Sequence, residues 1–236
     1  TRYTQRLIAA LSAPTAEGSL YEVDMRLRPS GSQGPVATKL SGFIDYQEKS
    51  AWTWEHLALT RARVVTGPAA LRKAIADTIG QVLTRPRDRV AVAAAVQTRR
   101  GEIAQAMGTA GVWSRLQVRG GLIDLEFIAQ FLQLINAAER PDVLDQNTET
   151  ALTKLSDAGV LSPDDAEILI PAARLYFTLT QVLRLCLDKP FVAADAPLAL
   201  RELLARATET PDFDALEVRL KDTLAAVHAA FDRIIA

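Results

Sequence analysis

The sequence predicts a mainly α fold with a small α+β part at its N-terminal end. Two patterns support this prediction. The segment Tyr21 to Arg28 alternates strictly between apolar and charged residues, as a half-buried β-strand does. After Gly67-Pro68, alanine and leucine dominate and nearly every segment has helical periodicity. We therefore expect a few strands within residues 1–66, followed by an all-helical bundle over residues 67–236.

The N-terminal part mixes helical patterns with this strand. We predict three further helices and one further short strand, over residues 2–12, 40–50, 52–60 and 62–66 respectively. In the strand Tyr21–Arg28, the odd positions form an apolar face and the even positions form a wholly charged face. Pro29 ends the strand, since proline has no N–H to donate to a neighbouring strand.

The remaining helices are predicted from apolar stripes and start signals. They cover residues 69–83, 88–107, a segment after Gly120-Gly121, and residues 147–157, 163–187, 197–207 and 213–235. The clearest start lies at Ser162, which can cap the helix, and Pro163 follows at the first helical position. The last helix carries an apolar stripe that includes Leu216, Leu220 and Phe231.

Composition restricts the class of partner and the compartment. The chain has 236 residues, 49% of them hydrophobic, and a net charge of −1, so a basic surface for nucleic acid is not expected. The single Cys186 allows no internal disulfide, which favours the cytoplasm, and its apolar neighbours predict a buried, inert thiol. No apolar run reaches 18 residues, so no membrane attachment is expected.

The charged face of the predicted strand is the first candidate site. A carboxylate at Asp24 could bind Mg²⁺, and Arg26 and Arg28 could bind phosphate oxygens in a bidentate manner. The alternative is a solvated face whose charges form cross-strand ion pairs. The spacing of these residues alone leaves both interpretations open.

A second candidate lies at the start of the helix after Gly120-Gly121. Arg119 could contact phosphate, and Asp124 and Glu126 could face the same site. Alternatively, Arg119 is solvated and the two acids only complement the helix dipole. Asp124 and Glu126 lie two positions apart on a helix and point in nearly opposite directions, so they cannot chelate one ion together.

Other charged residues have architectural interpretations. Glu55 is expected to pair with Arg61 or Arg63 and brace the sheet. His228 lies on the last amphipathic helix and is expected to be structural. Arg99 and Arg100 are expected to be solvated or helix-end charges.

Three segments resemble the glutamine synthetase adenylyltransferase family. They are LYEVDMRLRPSGSQGP at residues 20–35, AWTWEHLALTRARVV at residues 51–65 and RGGLIDLEFIAQFLQL at residues 119–134. The resemblance implies a fragment of the C-terminal, adenylylating half of such an enzyme. It implies that residues 1–66 are the C-terminal part of a nucleotidyltransferase domain and that residues 67–236 are the helical bundle domain after it.

The resemblance also implies an activity and its site residues. The activity is transfer of AMP from ATP to a tyrosine of glutamine synthetase in the cytoplasm, with Mg²⁺ as cofactor and a PII signalling protein as a further partner. Asp24 is implied as a catalytic, metal-binding carboxylate. The implied phosphate-binding residues and second-domain contacts are Arg26, Arg28, Arg119, Asp124 and Glu126.

One part of the family pattern is absent from the sequence. The Gly-Ser…Asp-x-Asp motif, which in the family supplies the first two metal-binding carboxylates, does not occur in this chain. We therefore expect the chain to be a piece of a longer protein and to have no adenylyltransferase activity alone. The alternative is a non-catalytic helical interaction module that docks on glutamine synthetase or on a PII signalling protein.

Overall fold

The computed structural model describes residues 1–16, 18–19, 23–107, 111–114 and 118–236, and this part of the chain is mainly α. The predicted fold class is therefore confirmed. The helices are α1 (Arg2–Ser12), α2 (Leu40–Lys49), α3 (Thr53–Leu59), α4 (Ala69–Leu83), α5 (Arg89–Met107), α6 (Leu122–Asn136), α7 (Thr148–Asp157), α8 (Pro163–Cys186), α9 (Leu198–Ala207) and α10 (Phe213–Ile234). Two short strands, β1 (Pro14–Thr15) and β2 (Gly18–Ser19), pair in antiparallel orientation.

Side-chain caps explain why several helices begin where the sequence predicted. Ser162 Oγ accepts a hydrogen bond from Asp165 N at 3.1 Å at the start of α8. An equivalent cap lies before α10, where Asp212 Oδ1 accepts from Ala215 N at 2.8 Å. These side chains satisfy backbone N–H groups that have no partner within the first turn of a helix.

The strand predicted over Tyr21–Arg28 is not found where the structure can test it. Residues 21 and 22 lie outside the described residues, and residues 23–28 form irregular chain and turns. The alternation of burial also fails at its end, because Leu27 is exposed whereas Arg28 is partly buried. Alternation is not sufficient for a strand, which also needs a neighbour to pair its backbone groups. In the described residues the only ladder joins β1 to β2.

The short strand predicted over residues 62–66 is also wrong. This segment has no regular structure, and Val65 is exposed. Its β-branched residues favour a strand only on a pleated, half-buried surface, and no such surface covers Val65.

The chain divides into two compact units, Thr1–Leu83 and Thr84–Ala236. In the first unit, α4 contacts both α2 and α3, and Leu57 on α3 is fully buried. The division therefore follows α4, whereas the boundary that we predicted at residue 66 assigns α4 to the helical part.

In the second unit, α6 is the central helix. It contacts α5, α7, α8 and α10. Its buried residues lie on nearly all sides, including Leu125, Ile128, Phe131 and Leu134. A helix that is apolar all round is one that other helices surround. The start of α6 is therefore fixed by packing against several neighbours.

Helix α8 is also a core element of this unit. By length and composition alone it could cross a membrane, but such a helix can equally be the core helix of a protein that does not. It packs against α6, α7, α9 and α10. Tyr176 and Leu179 on α8 are fully buried, which supports the second interpretation.

Cys186 is exposed, so the prediction of a buried thiol is wrong. The last residue of α8 that is buried is Leu183. Beyond it the helix leaves the core, and even Leu185 is 87% exposed. The apolar neighbours of Cys186 in the sequence therefore did not indicate whether its thiol is buried.

Candidate functional site

The Asp24 carboxylate lies at the surface of the first unit and is bound by Arg26. Arg26 Nη2 lies 2.6 Å from Asp24 Oδ2, and Arg26 Nε donates to both carboxylate oxygens. The backbone N of Arg26 donates to Asp24 Oδ1 at 2.9 Å. The side-chain bonds from Arg26, followed by this backbone bond, lower the pKa of Asp24 from 3.8 to about 2. The carboxylate is therefore ionised at neutral pH.

Arg28 organises the loop that follows. Its Nη1 donates to Met25 O at 2.7 Å, its Nε to Gly34 O at 3.1 Å and its Nη2 to Ser32 O at 3.1 Å. In contrast, the Arg26 side chain is 86% exposed. The two arginines thus differ in this structure, since Arg28 braces backbone carbonyls while Arg26 stays at the surface beside Asp24.

Gly34 allows this loop to close tightly. A Cβ atom at Gly34 would lie 1.9 Å from Pro29 O, which is closer than atoms in contact can approach. The segment from Met25 to Gly34 is therefore a compact loop. Arg26 lies near its beginning, and Asp24 directly precedes it.

The residues that the structure describes do not by themselves fit a Mg²⁺ site. Mg²⁺ sites are built from oxygen ligands in near-octahedral geometry, and a two-metal site needs several carboxylates. Across the described ranges, no group of three or more His, Cys, Asp or Glu residues could hold a metal ion. Asp24 supplies one carboxylate, and Arg26 is bound to it.

The second candidate site is built around the Gly120 turn, which precedes α6. Gly120 has a φ of 77°, in the left-handed region that glycine adopts without strain. A Cβ atom at this position would lie 1.8 Å from Leu224 O, on the backbone of α10. Glycine is therefore required here both for the backbone conformation and for the close approach of α10.

Buried polar groups hold the Gly120 peptide units on both sides. Asp124 Oδ2 accepts a hydrogen bond from Gly120 N at 2.6 Å, and Tyr176 Oη donates to Gly120 O at 2.7 Å. Asp124 Oδ1 is also bound by Arg100 Nε in a buried ion pair. We call Arg100, Gly120, Asp124 and Tyr176 the Gly120 network. It joins α5, α6 and α8, and Leu224 O adds α10.

Burial of the network has an electrostatic consequence at Tyr176. Removal of the hydroxyl from water raises the pKa of Tyr176, and the nearby negative charge of Asp124 raises it further. Tyr176 therefore remains protonated and able to donate to Gly120 O throughout the neutral pH range.

Arg119 lies at the outer edge of this network. Its side chain is 42% exposed, and its Nη2 lies 3.3 Å from Asp232 Oδ1. Its Nη1 lies 4.0 Å from Asp124 Oδ2, and its Cζ lies 5.1 Å from the centre of the Phe231 ring. Arg119, Phe231 and Asp232 line a cavity of about 480 Å³, a volume that a small ligand could occupy.

The structure therefore gives different environments to the residues predicted at the start of α6. Asp124 is fully buried and bound to Gly120 N and Arg100, while Glu126 is partly buried further along the helix. Arg119 lies beside Asp124 but keeps an exposed guanidinium. Of these three residues, Arg119 is the most exposed to a ligand.

The role of Arg100 was missed in the sequence, where it was interpreted as a solvated or helix-end charge. Only 1% of Arg100 is exposed. The signal was present, since Val92, Val96 and Arg100 follow one another at intervals of four residues on the buried face of α5. A charged residue in register with an apolar stripe indicates a buried partner, which here is Asp124.

Glu55 and His228 have partners that the sequence did not predict. Glu55 accepts hydrogen bonds from Tyr46 Oη at 2.9 Å and from Trp52 N at 2.9 Å. Its role is therefore architectural, with these bonds in place of the predicted brace to a sheet. His228 Nε2 lies 3.3 Å from Asp232 Oδ2, so Asp232 lies between His228 and Arg119.

Two family models match this chain. Residues 1–78 match the model described as glutamate–ammonia ligase adenylyltransferase, and residues 117–235 match the one described as GlnD PII-uridylyltransferase. The first match includes the Asp24 loop, and the second includes the Gly120 turn. The chain thus combines two segments that both resemble nucleotidyl-transferring enzymes.

Similar proteins that match nearly the whole chain identify its family more specifically. A bifunctional glutamine synthetase adenylyltransferase/adenylyl-removing enzyme of Rhodopseudomonas palustris (strain TIE-1) is 50% identical over 234 residues, which cover 99% of this chain and 24% of the relative. The proteins of the same name from Bradyrhizobium diazoefficiens and Xanthobacter autotrophicus are 49% and 47% identical over the same shares. The chain therefore belongs to the glutamine synthetase adenylyltransferase family, and it spans about a quarter of the length of these relatives.

Proposed function

We propose that this chain is part of an enzyme that transfers AMP from ATP to a tyrosine of glutamine synthetase, and that it belongs to the adenylylating half. The tyrosine oxygen forms a bond to the α-phosphorus of ATP, and the bond to the β-phosphate oxygen breaks. The products are the AMP–tyrosine ester, pyrophosphate and a proton. The observation that carries this proposal is the 50% identity over 99% of the chain to a bifunctional adenylyltransferase.

Within this proposal, Asp24 acts as a carboxylate of the catalytic site, together with carboxylates from outside this chain. Its position at the surface, where a ligand can reach the carboxylate, supports that role. Arg26 is the exposed cation that binds phosphate oxygens. To do so, its guanidinium must release the Asp24 carboxylate and bind the phosphate instead. Arg28 supports the loop through backbone carbonyls. Mg²⁺, a PII signalling partner and a cytoplasmic location belong to the same proposal.

The test is Asp24→Asn in the whole protein, with incorporation of labelled AMP into glutamine synthetase as the readout. We expect the rate to fall by roughly 100-fold or more, since the substitution keeps the shape of the side chain but removes its charge. Asp45→Asn is the matched control, because Asp45 is an exposed acid of the same unit that is bound to Lys49. The isolated 236-residue chain is expected to transfer no AMP.

An unchanged rate for Asp24→Asn would remove Asp24 from the catalytic site. A transfer rate above background from the isolated chain would show that the carboxylates of this chain are sufficient, against the proposal. Equal losses in Asp24→Asn and Asp45→Asn would indicate a general effect of charge on the unit.

A second candidate function is a helical interaction module. The match of residues 117–235 to a PII-uridylyltransferase model favours it, because this match covers α6 to α10 and none of the Asp24 loop. The two candidates make different predictions for the isolated chain. A docking module would bind glutamine synthetase or a PII protein without the rest of the enzyme, and this binding would be unaffected by Asp24→Asn.

A further inference from the structure

We infer that the Gly120 network positions Arg119, so that Tyr176 and Asp124, which do not line the cavity beside Arg119, influence the reaction through Arg119 without touching substrate. This inference rests on the proposed function, to which it adds the contact of Arg119 with the phosphates of the nucleotide that the family resemblance implies. Tyr176 and Asp124 are thereby assigned a role as positioning residues.

The first argument concerns the freedom of the backbone beside Arg119. Two consecutive glycines, Gly120 and Gly121, follow it, and glycine has the widest range of backbone conformations. Left to itself, this turn would allow Arg119 many orientations relative to α6. The Gly120 network removes that freedom, since Asp124 holds the N–H of Gly120 and Tyr176 holds its carbonyl oxygen.

The second argument concerns rigidity. Asp124 and Tyr176 are both fully buried, so water cannot readily replace either bond to Gly120. The two side chains come from different helices, α6 and α8, and Arg100 on α5 fixes the carboxylate of Asp124. A backbone unit that is tied to three helices is a firm base for a neighbouring side chain.

The third argument concerns the guanidinium of Arg119, which is held less firmly than its backbone. The guanidinium is bound by Asp232, whose side chain is 59% exposed, at 3.3 Å. An ion pair at such a surface contributes little energy, so an anion in the adjoining cavity can take the place of Asp232. Arg119 therefore combines a fixed backbone with an exchangeable partner, which is the arrangement that a phosphate-binding arginine needs.

A buried ion pair also contributes little net stability to a fold compared with apolar residues. Replacement of such a pair by apolar residues of similar volume is often neutral or stabilising. The hydrogen bonds to Gly120, in contrast, define one orientation of the turn. This difference favours positioning over stabilisation as the role of Asp124 and Arg100.

The test is a double-mutant cycle on the whole protein, with the KM for ATP and the kcat of AMP transfer as readouts. Arg119→Ala is expected to raise the KM for ATP by roughly 10-fold or more, because a charge-assisted contact to phosphate is lost. Tyr176→Phe removes only the hydroxyl and is expected to raise this KM by about 3-fold to 10-fold. The double variant is expected to match Arg119→Ala, since Tyr176 acts through Arg119.

Thr208→Val is the matched control, because Thr208 is a buried residue of the same unit whose hydroxyl donates to Leu204 O, away from the Gly120 turn. It should lower the melting temperature without changing the KM for ATP. If Tyr176→Phe does not fold, Asp124→Asn replaces it in the cycle, since the neutral amide keeps the size of the side chain but weakens the bonds to Gly120 N and Arg100.

The outcomes separate this inference from the proposed function. If Arg119→Ala leaves the KM for ATP unchanged, the proposed contact of Arg119 with nucleotide is wrong, and the inference falls with it. If Arg119→Ala raises the KM but Tyr176→Phe only lowers the melting temperature, the inference alone is overturned. Additive effects in the double variant would likewise show that Tyr176 does not act through Arg119.

Discussion

Gly120→Ala is expected to destabilise the helical unit Thr84–Ala236 by on the order of 4 kcal/mol or more, a loss that approaches the whole stability of many domains. Two effects add at this position. Alanine at a φ of 77° is strained, which costs about 1 kcal/mol or slightly more. The larger effect is steric, because the new Cβ atom would lie 1.8 Å from Leu224 O on the backbone of α10.

Gly159→Ala provides the control that separates these effects. Gly159 also has a positive φ, 70°, but a Cβ atom there would meet no atom within 4 Å. Urea unfolding of the 236-residue chain, followed by circular dichroism, should therefore show a loss of about 1 kcal/mol for Gly159→Ala and a much larger one for Gly120→Ala. Equal losses would mean that α10 does not approach the Gly120 turn closely.

Asp124→Ala is expected to cost roughly 3 to 5 kcal/mol in the free energy of unfolding. The substitution leaves the buried guanidinium of Arg100 without its carboxylate, and it also leaves Gly120 N without its acceptor. A partly exposed acid should behave differently. Glu149→Ala removes the partner of Arg174 at the surface and should cost no more than about 1 kcal/mol.

A double replacement can divide the cost of Asp124→Ala into its two parts. In Arg100→Met with Asp124→Leu, both charges of the pair are absent, so no unpaired charge remains buried. The part of the loss that comes from Arg100 should be recovered in urea unfolding. A residual loss of about 1 to 3 kcal/mol should remain, since Gly120 N still has no acceptor. If Asp124→Ala costs as little as Glu149→Ala, the ion pair and the Gly120 bond are not formed.

The helices could be predicted from the sequence because their signals are local. Ser162 and Asp212 lie three residues before the N–H groups that they cap, and the stripe of α10 repeats within one segment. Such features depend on neighbours in the sequence, so one sequence is sufficient to find them. The bounds of the predicted helices accordingly agree closely with those of α1 to α10.

The strand prediction failed because a strand depends on residues elsewhere. Alternation in Tyr21–Arg28 describes which faces the residues would have in a sheet, but it does not supply the neighbouring strand. In the structure, Asp24 and Arg26 pair within one loop instead of projecting together from a pleated surface. Their proximity was predictable from a spacing of two residues, while the direction of their side chains was not.

The Gly120 network illustrates a different limit of prediction from sequence. Asp124 and Gly120 were singled out from the sequence because they lie at a helix start, within four residues of each other. Arg100, Tyr176 and Leu224 are distant in the chain and meet the turn only through the packing of α5, α8 and α10. Burial of Asp124 therefore could not be predicted from its position alone, even though its place on α6 could.

The most direct test of the Gly120 network is amide hydrogen exchange of Gly120 in the 236-residue chain, measured by NMR. The N–H of Gly120 is bound to a fully buried carboxylate, so we expect it to exchange only when the helical unit unfolds as a whole. Its protection should then match that of core amides of α6 and should follow the unfolding free energy in Asp124→Ala. Exchange of Gly120 at the rate of an exposed loop amide, while the core of α6 stays protected, would contradict the network and the placement of Arg119 that depends on it.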